Sequence, residues 1–138
     1  MAQKEEKFIV REIPKPQPRP RVTRYGTYDP AHDEKSYVRF LLEKQVEEKL
    51  YKQIEAPIEL EARFFLPVPK SMSKKNAVLM LDGAVKHKVR PDCDNLYKFI
   101  TDCMNGLIYK DDAQIYKCYI EKFYSLEPRT EITVRWEE

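Results

Sequence analysis

Arg90–Gln114 reads R-P-D-C-D-N-L-Y-K-F-I-T-D-C-M-N-G-L-I-Y-K-D-D-A-Q. Leu96, Phe99, Ile100, Cys103, Met104 and Leu107 recur at i, i+3, i+4, i+7, i+8 and i+11, one face of an α-helix. Asp94, Lys98, Thr101 and Asn105 fall on the opposite face, with Asp94 and Lys98 one turn apart. Pro91 stops any preceding helix, Asp92 is placed to N-cap this one, and Asn105-Gly106 supplies its C-terminal stop. Two carboxylates, Asp92 and Asp94, therefore open the helix, and two more, Asp111 and Asp112, follow its end.

If the chain folds the second pair back towards the first, three or four carboxylates converge. Crowded acids repel, and one must take up a proton unless a cation intervenes. Mg²⁺ prefers hard oxygen ligands at about 2.0–2.1 Å and keeps water and phosphate oxygens in its shell. Such a site suits phosphodiester hydrolysis, with Lys98 neutralising phosphoryl charge or placing the attacking water. The plainer account is that Asp92 caps, Asp111-Asp112 turns the chain, and Asp94–Lys98 is a surface pair worth a few tenths of a kcal/mol, ~0.2–0.5. An EF-hand is excluded, because a loop counted from Asp92 places Leu96 at a ligand position and Tyr97 where glycine is required.

These residues resemble the RusA family of Holliday junction resolvases, whose pattern is D-x-D-N-L-x-K, a helix, and then D-D-[AS]-Q leading into a strand. Asp92, Asp94, Asn95, Leu96 and Lys98 match the first part, and Asp111, Asp112, Ala113 and Gln114 the second. Cys93 stands where the family more often has an aliphatic residue. The resemblance implies a homodimeric, Mg²⁺-dependent endonuclease (Mn²⁺ being the alternative ion) of bacteria and their prophages, acting on four-way DNA junctions. It implies metal binding by Asp92, Asp94 and Asp112, with Asp111 as a further candidate, and a catalytic role for Lys98. The alternative is a non-catalytic or less selective branched-DNA-binding protein.

The chain of 138 residues suffices for one domain, expected to span 1–138, with a sizeable core. No apolar run has the length of a membrane span and no secretory signal opens the chain. Cys93, Cys103 and Cys118 form no C-x-x-C pair and are odd in number, which points to a reduced, cytoplasmic setting rather than a disulfide scaffold. Net charge is only +2, so the distribution of charge matters more than its sum.

Basic residues gather in two places. Residues 14–30 form a proline-rich loop with prolines at alternate positions, carrying Lys15, Arg19, Arg21 and Arg24 with Tyr25 and Tyr28 at its far end. Such a backbone is stiff and extended, and one-signed charge with aromatics suits a phosphate chain, whereas a solvated connector is the plain alternative. Residues 70–90 carry Lys70, Lys74, Lys75, Lys86, Lys88 and Arg90 against one acid, Asp82, and lead directly into the 91–114 helix and turn. His87 in that stretch is a candidate proton shuttle, although a lone loop histidine is usually a bystander.

Elsewhere, Lys7–Glu12 predicts a strand, and a helix follows Asp29-Pro30 with Tyr37, Val38, Phe40, Leu41, Leu42, Val46, Leu50 and Tyr51 as its apolar face. Pro57–Leu66 alternates as a half-buried strand. Ser71 or Ser73 caps a short helix to Leu81, packed through Val78, Leu79 and Leu81. Ala113–Tyr124 reads as a long strand, apolar on both sides, hence central or a dimer contact; Thr130–Trp136 closes the chain as a final strand. The expected fold is α+β in two layers, with helices packed on a mixed β-sheet, assembled as a homodimer.

Overall fold

The computed structural model describes residues 2–19 and 21–138, and Arg21 by its backbone alone. The order of elements is β1 (Gln3–Val10), β2 (Arg21–Thr23), β3 (Gly26–Tyr28), α1 (His32–Lys49), β4 (Ile58–Pro67), α2 (Lys74–Leu81), α3 (Cys93–Met104), a 3₁₀ turn (Asp112–Gln114), β5 (Ile115–Ser125) and β6 (Arg129–Glu137). The fold is α+β, with three helices among the described residues and a mixed four-stranded sheet ordered β1-β6-β4-β5. β6 runs antiparallel to β1 and β4, whereas β4 and β5 are parallel.

Strict alternation in β4 buries Ile58, Leu60, Ala62, Phe64 and Leu66. Phe8 and Val10 of β1 and Ile132, Val134 and Trp136 of β6 join them, and Val38 and Leu42 of α1 with Leu96, Phe99, Ile100, Cys103 and Met104 of α3 complete the core. α1 packs against both α3 and β1. The other face of the sheet carries charge. Arg135 donates to Glu5 (2.8 Å), Glu59 (3.0 Å) and Glu61 (3.0 Å). These are cross-strand pairs, since Glu5 and Glu59 lie opposite Arg135 in the two ladders.

Several expectations change. β1 starts at Gln3, earlier than the predicted Lys7, because it pairs with β6 along its whole length from Gln3↔Glu137 to Val10↔Thr130. Backbone pairing thus carries a polar segment that side-chain propensity does not mark. β5 is an edge strand with no fully buried residue, not a central one. The proline-rich loop ends in an unpredicted hairpin, β2–β3, turned through Gly26 at φ +125° and braced by Thr23 Oγ1, which accepts from Tyr25 N (3.2 Å). α2 begins as expected, with Ser73 Oγ accepting from Asn76 N (3.2 Å), but buries no residue, so Val78, Leu79 and Leu81 do not form a packed face. Tyr37 and Phe40 on α1 stay exposed, as does Tyr51, which lies beyond the end of the helix; the buried residues of α1 are Val38 and Leu42.

Candidate active site

The chain enters α3 over a cationic brace. Lys122 of β5 donates to Val89 O (2.8 Å) and Pro91 O (3.0 Å) and fixes the approach to Asp92. Asp92 holds the N-cap position, and its carbonyl accepts from Leu96 N (3.1 Å), but its carboxylate makes no capping bond. Asp92 and Asp94 are both exposed, and among the described residues neither side chain has a hydrogen-bond or ion-pair partner. The Asp94–Lys98 pair is not formed. Lys98 Nζ turns along the helix instead and donates to Asp102 Oδ1 (2.7 Å). Thr101, expected on the solvent face, is 3 % exposed and returns its hydroxyl to Tyr97 O (2.9 Å). Gly106, at φ +75°, ends the helix as predicted.

The D-D-A-Q element folds as a capped 3₁₀ turn. Asp111 Oδ1 accepts from Ala113 N (3.5 Å), and Gln114 Oε1 accepts from Asp111 N (2.9 Å) and Lys110 N (2.8 Å). Gln114 Nε2 reaches across to Ile54 O (2.9 Å) and Ala56 O (3.1 Å), anchoring the turn to the segment before β4. The two acids therefore differ in kind. Asp111 caps the turn. Asp112 is held by the fully buried Tyr109, whose hydroxyl donates to its Oδ1 (2.6 Å). Burial raises the Asp112 carboxyl above its usual range, the Tyr109 hydrogen bond opposes this, the Asp102 charge adds to it, and the Lys98 charge draws it down. Asp112 thus lies within the electrostatic reach of Lys98 on α3.

Asp102 was not singled out from the sequence, although its place four residues after Lys98 is the spacing of an i,i+4 pair. Its Oδ2 accepts from Lys35 Nζ of α1 (2.8 Å), and Lys35 also donates to Asp29. His87 packs at a tilt against Tyr124 (4.6 Å between ring centroids) with Nδ1 unpartnered among the described residues, and burial together with the Lys122 charge lowers its pKa.

Lys70, Lys74, Lys75, Lys86, Lys88 and Arg90 are all exposed and make no ion pair with the described residues. Arg19 is exposed, Arg24 lies over Tyr25 (5.6 Å to the ring centroid), and Lys15 pairs with Glu34 (3.4 Å). The side chain of Arg21, another expected DNA contact, lies outside the described residues. An apolar cleft of about 310 Å³ is lined by residues including Val10, Tyr37, Phe64, Leu96 and Phe99 and by none of the predicted acids. Asp92 and Asp94 instead face open solvent, which suits a substrate too large for a pocket.

Among the described residues, no three His, Cys, Asp or Glu side chains stand close enough together to hold a metal ion as they are. The donor chemistry nevertheless fits a hard divalent cation: two carboxylates without partners among the described residues, and a third, Asp112, with Oδ1 held by Tyr109. Compared with known proteins, the chain matches a family model described as endodeoxyribonuclease RusA over residues 13–135. It is also 36% identical over 137 residues to the uncharacterized protein YqaN of Bacillus subtilis (strain 168), an alignment covering 94% of each chain.

Proposed function

The chain belongs to the RusA endodeoxyribonuclease family, and from that premise we propose that it nicks DNA four-way junctions as a homodimer, using a divalent cation held by Asp92, Asp94 and Asp112. The observation that carries the reading is the pair of exposed carboxylates at the start of α3, unpartnered among the described residues and reached along the chain through a run of six cations likewise unpaired there. Carboxylates that follow so many lysines in the chain and are still unpaired among the described residues are available to a ligand. The ion, Mg²⁺ or Mn²⁺, would supply charge neutralisation and an activated water.

The protein's own residues do the rest. Lys70, Lys74, Lys75, Lys86, Lys88 and Arg90 grip the phosphate backbone on the approach to α3, and Lys15, Arg19, Arg21 and Arg24 grip it from the proline-rich arm. Lys98 carries the cation that balances charge developing on the scissile phosphoryl oxygens. Tyr109 keeps the Asp112 carboxylate oriented. Asp111, engaged as a cap, supports the turn. A junction has two-fold symmetry and needs two symmetric cuts, which a C2 dimer with one site per subunit provides. Such work places the protein with cellular DNA in the cytoplasm.

The test is incubation with a synthetic mobile four-way junction and Mg²⁺, with cuts mapped on all four strands. Paired, symmetric nicks near the crossover are expected. Equal cutting of flaps and forks would make this a less selective branched-DNA nuclease, and binding without cutting a non-catalytic one.

A further inference from the structure

A row of alternating charges runs beneath the site. Asp29 lies just before α1, Lys35 is on its first turn, and Asp102 and Lys98 are on α3. Lys35 Nζ donates to Asp29 and to Asp102 Oδ2 (2.8 Å), and Asp102 Oδ1 accepts from Lys98 Nζ (2.7 Å). Lys35 and Asp102 are shielded, at 13% and 24% side-chain exposure, whereas Lys98 at the end of the row is 60% exposed. Shielded pairs are screened less than solvent pairs, and each Asp102 oxygen has its own ammonium, so the carboxylate is held at both ends.

The other end of the row is the root of the basic arm. Asp29 Oδ1 accepts from Ala31 N (2.9 Å), at the N-cap position of α1, and from Gln17 Nε2 (3.2 Å), which closes the arm at its base. Gln17 N also donates to Asn95 O (2.9 Å) in the first turn of α3, beside Asp94. Arg19, Arg24 and Tyr25, all exposed, thus stand between Gln17 and Asp29 on a root bonded to the helix that carries Asp94 and Lys98.

We propose that Asp102 is the positioning residue for Lys98, and that the row Asp29–Lys35–Asp102–Lys98 couples DNA held on the arm to the placement of the Lys98 ammonium. A free lysine samples many rotamers, and fixing one costs side-chain entropy. Asp102 bears that restriction before substrate arrives. It sits one turn further into the helix than Lys98 and touches no reacting atom, so it acts through Lys98. Lys35 keeps Asp102 from turning away, and Asp29 makes the position of Lys35 depend on the arm.

The inference rests on the nuclease reading above, and the experiment separates the two. Wild-type protein is first assayed on the four-way junction in Mg²⁺; absence of cutting overturns the nuclease reading. Asp102→Asn, Lys35→Gln and the double variant are then compared under single-turnover conditions with saturating protein, alongside junction affinity in EDTA and a thermal melt. Each single variant is expected to cut at least about tenfold more slowly with affinity within about threefold of wild type. The double variant should be no slower than the worse single one, because both break one row. A cutting rate within about threefold of wild type in either single variant, or independent multiplying losses in the double, overturns the coupling. Where Asp102→Asn is unfolded at the assay temperature, Lys35→Gln carries the same thresholds. A second readout needs no catalysis: trypsin should cleave DNA-free Lys35→Gln after Arg24 several-fold faster than wild type, and an unchanged rate there shows that Lys35 does not hold the arm.

Discussion

Asp92 sits at an N-cap yet caps nothing with its side chain, and Asp94 lies beside a lysine that turns to another acid. Side-chain capping therefore does not account for either residue, and the proposed metal role would give them a partner. Asp94→Asn is expected to abolish nicking in Mg²⁺ while junction binding in EDTA stays equal to wild type or tighter, because one anionic repulsion with phosphate is removed; a mapped cleavage gel beside a binding titration checks both. Tyr109→Phe keeps the ring in the core but deletes the 2.6 Å hydrogen bond to Asp112. It should cost about 1 kcal/mol of stability and slow cutting roughly tenfold, read from a denaturant melt and the single-turnover rate.

The arm and the D-D-A-Q turn are the elements that frame the site. Neutralising Arg19, Arg21 and Arg24 together should weaken junction binding and reduce the slope of log K against log[salt] by about 2.7, at ~0.9 per phosphate contact on duplex arms. An unchanged slope would make the arm a connector. Gln114 ties the turn both to its own backbone and to Ile54 and Ala56. Gln114→Ala leaves four backbone groups without that partner, so a loss of about 1–3 kcal/mol is expected in a denaturant melt, with slower cutting because the Asp112 turn loosens.

Stability of the whole molecule should show an acid limb. The Lys35 hydrogen bond is the main influence lowering the Asp29 pKa; for Asp102, burial acts upwards but the Lys35 and Lys98 bonds outweigh it and leave it lowered. Groups lowered in the folded state contribute stability above their unfolded value of 3.8 and lose it as pH falls through the folded value. Lys35 behaves oppositely. Burial lowers it, but Asp102 and Asp29 leave it raised, so its contribution is present below 10.5 and disappears as pH rises through the folded value. Melting temperature should therefore drop below about pH 4, and Asp102→Asn should flatten that limb. Among the described residues no helix is long and apolar enough to cross a membrane. Light scattering during size exclusion should report twice the 16.5 kDa chain mass if the proposed dimer forms.

Local sequence determined α1, β4, α2, α3 and β6: apolar periodicity marks α1, β4, α3 and β6, and the Ser73 cap marks α2, all through residues close in sequence. The D-x-D and D-D motifs were likewise visible, since their spacing is local. Tertiary structure decided what depends on residues distant along the chain. It extended β1 over a polar segment by pairing it with β6, and set β5 at the sheet edge despite its apolar residues. It also separated Asp111, a cap, from Asp112, held by Tyr109, and brought Lys35 against Asp102 across 67 positions. A side chain's partner across such a distance is chosen by how helices and sheet pack, and no local pattern records that choice.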